Sequence, residues 1–194
     1  CSRSWTIVDY YLRRTPAFHP VRRAMAPVNV VLAEEDDKII VYGINDTTEI
    51  IKGSLRYGAF ELAGNYQLDQ TDEVELPPNA STPVASFDAK AWSSRSASMG
   101  FATLNDANGQ LICRNKLYDG FLKDLQWPEA GVDVRIENGE AVFSSPAFVL
   151  GICLDLDGER ELADNFFDLY PGMEYRMAWS DESPPEILHV GNLA

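Results

Sequence analysis

Asp164-Asn165-Phe166-Phe167-Asp168-Leu169-Tyr170-Pro171-Gly172, followed by the alternating run Met173 to Ser180, decides the fold of this chain. Tyr170-Pro171-Gly172-Met173 carries proline and glycine at the two central positions of a type II turn, where proline presets φ and glycine accepts a positive one. After the turn, Met173, Tyr175, Met177 and Trp179 point one way, and Glu174, Arg176, Ala178 and Ser180 point the other. That period of two predicts a half-buried strand with an aromatic-rich inner face. Phe166 and Phe167 fall on opposite faces of any extended chain, so at least one needs cover from a neighbour. The stretch therefore reads as strand, tight turn and strand in a sandwich, in preference to an active site.

Upstream, Val132, Val134 and Ile136 alternate with Asp133, Arg135 and Glu137, and Asn138-Gly139 supplies the favoured two-residue type I′ turn. The register sets Ile136 opposite Ala141 and Val134 opposite Phe143, a coherent apolar face. It also sets Glu137 opposite Glu140, a like-charge conflict left to water at the hairpin end. Strands near Ala147 to Leu154, Tyr175 to Trp179 and Ile187 to Val190 complete a small sandwich. Phe121 to Gly131 reads as a linker.

Before it, strands are expected at Val28 to Ala33, Lys38 to Ile44, Ala59 to Leu68, Val84 to Phe87, Met99 to Leu104 and Leu111 to Cys113. The first two are separated by the acidic turn Glu34 to Asp37, and Asn108-Gly109 closes the loop before the last. Ser4 to Ala26 alone reads helical, with Trp5, Val8, Tyr11 and Leu12 at helical spacing and a second short helix from Ala17 to Met25 after Pro16. The fold class is thus mainly β: two immunoglobulin-like antiparallel β-sandwiches preceded by a short helical segment. The expected boundaries are residues 1–26 for the helical segment, 27–125 for the first sandwich and 126–194 for the second, smaller one.

The 194 residues, 45% of them hydrophobic, suffice for one ordinary domain or two small ones. No run approaches the roughly 18 apolar residues of a membrane span, and a net charge of −14 repels nucleic-acid backbones and anionic membranes. Neither nucleic acid nor membrane is an expected partner. Three cysteines make no disulfide framework, and Cys113 and Cys153, within apolar runs, read as buried thiols. Cys1 invites a lipoprotein reading, but the aromatic stretch that follows at once favours an artificial boundary.

Few residues offer chemistry. His19 and His189 have no nucleophile or metal constellation around them in sequence, and a structural or surface role is expected for both. The run Asp155, Asp157, Glu159, Glu161, Asp164 places Gly158 too early for an EF-hand loop, so a solvated loop is expected in place of a metal site. No cofactor is expected. Trp92, among Lys90, Ser93 and Ser94, best fits an exposed aromatic able to stack on a sugar, against the plainer reading of a tryptophan folded over the sandwich. Trp5 and Trp127, at segment junctions, read as packing residues. The sequons Asn45-Asp46-Thr47 and Asn79-Ala80-Ser81 matter only on a secretory route.

Two regions together carry a family resemblance. Ser4 to Tyr11, with Pro16-Ala17 and Arg22 to Val28, resembles the stretch that leaves the final barrel strand and forms the last barrel helix in β-mannosidase-type enzymes of glycoside hydrolase family two. Tyr42 to Thr47 is similar to the strand end of the immunoglobulin-like domain that follows, and Asp164 to Gly172 to the family's last domain, with Tyr170 where leucine is commoner. The resemblance implies a retaining hydrolase whose two catalytic glutamates lie on a barrel, and neither glutamate motif occurs here. No catalytic residue is carried over. The implied role is that of accessory domains supporting the barrel, meeting carbohydrate only through the parent enzyme, and helping to shape its cleft or a homodimer contact. The competing class is a free-standing immunoglobulin-like carbohydrate-binding or adhesion module, which an active Trp92 would favour.

Overall fold

The computed structural model describes residues 6–192. Cys1 and Trp5, to which boundary and packing roles were assigned above, lie outside the described residues. The chain forms two compact units, one built from residues 26–126 and the other from the N-terminal 25 residues together with those from 127 onward.

The unit of residues 26–126 has seven strands: β1 (Val28–Glu35), β2 (Lys38–Asn45), β3 (Ile51–Glu61), β4 (Tyr66–Leu76), β5 (Ala80–Asp88), β6 (Ser98–Asn105) and β7 (Leu111–Leu117). They make two antiparallel sheets, ordered β1-β2-β5 and β4-β3-β6-β7. Period-two alternation sends Val30, Leu32, Ile39 and Val41 inward from the first sheet and Leu55, Tyr57, Ala102 and Leu104 inward from the second. This is an immunoglobulin-like sandwich in which the fourth strand pairs with the third instead of joining the opposite sheet.

The single strand expected over Ala59 to Leu68 is split by the turn of the β3–β4 hairpin at residues 62–65, with Ala59 to Glu61 closing β3 and Tyr66 to Leu68 opening β4. Glu61 N–H donates to Asn65 O at 2.7 Å, and Gly64 N–H donates to Glu61 O at 2.8 Å. Leu62 is apolar because it is buried, with its N–H on Ala97 O, and that apolarity hid the turn. At the end of β2, Asn45 is fully buried and saturated. Its Nδ2 donates to Glu49 O and Leu76 O, and its Oδ1 accepts from Thr47 N–H and Oγ1–H.

The other unit contains α1 (Phe18–Ala24), β8 (Asp133–Glu137), β9 (Glu140–Ser144), β10 (Val149–Ile152), β11 (Phe167–Leu169) and β12 (Tyr175–Ala178). One sheet is ordered β12-β9-β8 and the other is the pair β10-β11. The β8–β9 hairpin takes the expected register, with Ile136 opposite Ala141, Val134 opposite Phe143, and positive φ at Asn138 (51°) and Gly139 (80°). Glu137 and Glu140 do face each other, but Arg176 on β12 lies 3.0 Å from Glu137 and 3.7 Å from Glu140, so a cation relieves the conflict left to water. Tyr170 O accepts from Met173 N–H at 3.0 Å with Gly172 at φ 64°, which closes the expected turn. Along β12 and the residue that follows it, Met177 and Trp179 are buried while Arg176 and Ala178 are exposed, as the alternation requires.

Two expectations fail in this unit. No helix forms at Val8, Tyr11 and Leu12. Val8 bridges Arg14 antiparallel, Asp9 Oδ1 accepts from the N–H groups of Tyr11 and Arg13, and Leu12 turns to φ 63°. The short Asp9 side chain offers the backbone a local alternative to the helix, and that alternative wins. Ile187 to Val190 forms a single bridge, Cys153 with His189, and no strand. Pro184 and Pro185 just before it have no N–H to give a ladder.

Candidate functional site

A buried polar constellation gathers on Asp164, in the stretch that decided the fold. Its side chain is 7% exposed. Oδ1 accepts from Arg23 Nη1 at 2.6 Å and lies 3.4 Å from Arg22 Nη2 and 3.3 Å from His19 Nδ1, while Oδ2 accepts from Tyr175 Oη–H at 2.5 Å. Burial works against the charge, but His19, Arg23, Tyr175 and the Asn165 N–H outweigh it and hold the carboxyl below the ordinary aspartate range. Arg23 also donates to Asn165 O and Phe166 O, and Arg22 to Ala163 O. The basic last turn of α1 therefore spans to residues 163–166, beyond its suitability for the helix C-terminus.

The motif's remaining residues are structural in the same sense. Asn165 is buried, accepts from Leu154 N–H at 2.9 Å and donates to Asp155 O at 2.7 Å. Phe167 stacks on Tyr175 at 4.2 Å and meets Phe143 edge-on at 5.0 Å, so of the phenylalanine pair Phe167 is the one fully covered. Tyr170 is buried against Phe148. A carboxylate so fully engaged has neither open approach nor a raised pKa with which to act as a general acid.

Each residue proposed from sequence now has a place. The exposed stacking platform expected at Trp92 is absent: the ring is 2% exposed within the core of its sandwich. Its Nε1–H donates to Ser98 Oγ at 2.9 Å, and the Arg95 guanidinium covers it 4.2 Å from the ring centre while pairing with Glu34. The apolar residues around it, Ala89 and Ala91, pack into that core and explain the inward turn. His19 is buried beside Asp164 and His189 is exposed. The acidic run is divided, since Asp164 holds α1 and Asp155 is buried, accepting from the N–H groups of Asp157, Gly158 and Arg160. Among the described residues no group of three or more His, Cys, Asp or Glu is placed to hold a metal ion. Trp127 packs on Phe148.

Sequence reasoning missed one arrangement altogether. The hairpin at Asp9 to Arg13 is docked on residues 158–162. Arg14 Nη1 donates to Leu162 O at 3.0 Å, Arg13 lies 3.5 Å from Glu159, and Gly158 approaches Arg14 so closely that a Cβ there would fall 2.1 Å from Arg14 O. An open hollow of about 290 Å³ lies beside it, lined by Tyr11, Arg13, Glu159 and Arg160. The clue in the sequence was an aspartate at the head of an aromatic run, which fits an Asx turn as well as a helix start.

These features define the class: tandem immunoglobulin-like β-sandwiches, the second clasping a short N-terminal helix. Residues 37–124 match the family described as the mannosidase Ig/CBM-like domain. The chain is 22% identical over 204 residues to Beta-mannosidase B of Aspergillus clavatus, an alignment covering 93% of this chain and 24% of that relative. The crystal structure of the β-D-mannosidase of Dictyoglomus thermophilum matches with a TM-score of 0.80 at 25% identity, over 93% of this chain and 23% of that one. The exo-chitosanase CsxA of Amycolatopsis orientalis shares the fold, with a TM-score of 0.61 at 14% identity over 89% of this chain and 26% of its own. Residues 37–124 thus resemble a mannosidase Ig/CBM-like domain, and the chain is similar to part of these β-mannosidases, spanning about a quarter of their length.

Proposed function

We propose that this chain is the non-catalytic accessory region of a β-mannosidase-like retaining glycoside hydrolase, supporting the catalytic barrel and helping to shape its cleft. The observation that carries the reading is the Asp164 clasp. The motif most similar to the family's last domain is spent on holding α1, the segment similar to the end of a barrel, against the last sandwich. On this reading the two catalytic glutamates of a retaining mechanism lie on the barrel, outside this chain, and sugar meets the sandwiches only through the parent enzyme. A free-standing carbohydrate-binding module would need an aromatic open to the ligand, and the burial of Trp92 removes the residue that favoured it.

The test is to read the coding frame upstream of Cys1 and to assay the encoded polypeptide and the 194-residue chain side by side on aryl β-mannosides. A barrel with two strand-end glutamates, turnover by the long form and none by the short one, are expected. Turnover by the 194-residue chain alone, or an upstream frame with no barrel, overturns the proposal.

A further inference from the structure

The chain holds two triplets of the N-glycan acceptor pattern, Asn45-Asp46-Thr47 and Asn79-Ala80-Ser81. The fold sets them side by side in opposite states. Asn45, the last residue of β2, pairs with Ala80, the first of β5, and Asn79 N–H donates to Thr47 O at 3.0 Å.

Asn45 is fully buried, and both hydrogens of its Nδ2 are taken, by Glu49 O at 2.8 Å and Leu76 O at 3.0 Å. The hydroxyl of its triplet is also committed, since Thr47 Oγ1–H donates to Asn45 Oδ1 at 2.7 Å. A sugar on Nδ2 would leave one hydrogen where two are needed and would strand a carbonyl. It would also demand space beside a side chain with no exposure at all.

Asn79 has the reverse setting. It stands in the turn between β4 and β5, directly after Pro77 and Pro78, whose rings restrict the chain. Asn79 and Ser81 are both exposed. Its φ is 50°, in the left-handed region that asparagine tolerates better than most side chains. Its backbone is thus fixed by Thr47 while its carboxamide, with no hydrogen-bond partner among the described residues, stays open to solvent.

We propose that Asn79 accepts an N-linked glycan when the chain travels a secretory route, and that no folded glycoform carries one on Asn45. The inference is independent of the accessory reading above. The co-reactant is an oligosaccharide on a lipid diphosphate, presented by a membrane-bound transferase. Asn79 Nδ2 attacks the anomeric carbon, the C–N bond forms and the anomeric C–O bond breaks. The lipid diphosphate leaves with the electron pair, and the amide proton passes to a base of the transferase. Transfer to an emerging chain precedes folding, so the fold itself sorts the products. A bulky polar glycan on the β4–β5 turn projects into water, whereas one on Asn45 blocks the end of β2.

The test is to send the 194-residue chain through the secretory pathway of a yeast and to map glycopeptides in the protease-resistant fraction of medium and cells together. Occupancy is expected at Asn79 and none at Asn45. Ser81→Ala should abolish the modification, and Ser81→Thr should restore it, with both variants as protease-resistant as the parent chain. A bare Asn79 in the protease-resistant fraction overturns the proposal, as does a glycan on Asn45 in that fraction.

Discussion

Arg23 donates to Asp164 at 2.6 Å across 141 positions of sequence, and this bond makes α1 part of the C-terminal sandwich. Removing one partner from a buried charge cluster leaves the others uncompensated. Asp164→Ala should therefore cost about 3 kcal/mol. Urea denaturation reads that cost, and limited proteolysis should find residues 6–25 cut first. A variant as stable as the parent chain would show the clasp to be decorative.

The same carboxylate sets an acid response. Its folded pKa lies below the unfolded value of about 3.9. Its stabilisation is thus complete above the unfolded value and is lost as pH falls through the depressed folded one. Stability measured from pH 6 downward should fall more steeply in the parent chain than in Asp164→Asn, whose curve lacks this contribution. Parallel curves would assign the acid response to other carboxylates.

Trp92 is a core residue, so its substitutions should read as packing changes. Trp92→Ala should destabilise the unit of residues 26–126 by about 3–5 kcal/mol. Trp92→Phe, which keeps most of the ring but loses the bond to Ser98, should cost less. Thermal melts followed by near-ultraviolet circular dichroism distinguish the two. Equal, negligible effects would contradict the burial.

Cys113 is half-buried, and desolvation pushes its thiol up to about 12; the Cys153 thiol is raised by burial as well. Neither should react with a thiol reagent at pH 8 until the chain unfolds, as peptide mapping of the labelled cysteines would show. Because the folded values exceed the unfolded one of about 8.5, both sites favour unfolding once the pH rises above it. Rapid labelling of Cys113 in the folded chain would contradict its environment.

Gly158 and Gly139 both have positive φ, 70° and 80°, but only Gly158 is crowded by another segment. Gly139→Ala should cost about 1 kcal/mol from backbone strain alone. Gly158→Ala should cost more, because its Cβ would displace Arg14 and loosen the hairpin tip. Hydrogen exchange at Tyr11, Leu12 and Arg13 reports that loosening directly.

Legibility followed the range of the physics. The Asn138-Gly139 hairpin and the alternation from Met173 to Ser180 are local patterns, and both the register and the inward face come out as read. Leu62 misled because a buried turn residue carries the same apolar signal as a strand residue. Val8, Tyr11 and Leu12 misled because a spacing of three and four also suits a turn closed by an aspartate. Trp92 lay among polar neighbours in sequence, and its burial depends on the sandwich core and on an Arg95 cover tied to Glu34, 61 positions away, which no short window contains. The Asp164 clasp was least visible of all, since its partners stand more than a hundred residues apart.

That separation has a consequence during synthesis. Residues 26–126 emerge as one uninterrupted block, whereas the last turn of α1 must wait for Asp164. At about 5–20 residues per second, the delay is on the order of ten seconds. The first sandwich has time to mature while α1 is still without its acceptor. The last turn of α1 thus leaves the ribosome as an open half-site, completed only once residues 163–166 have followed it.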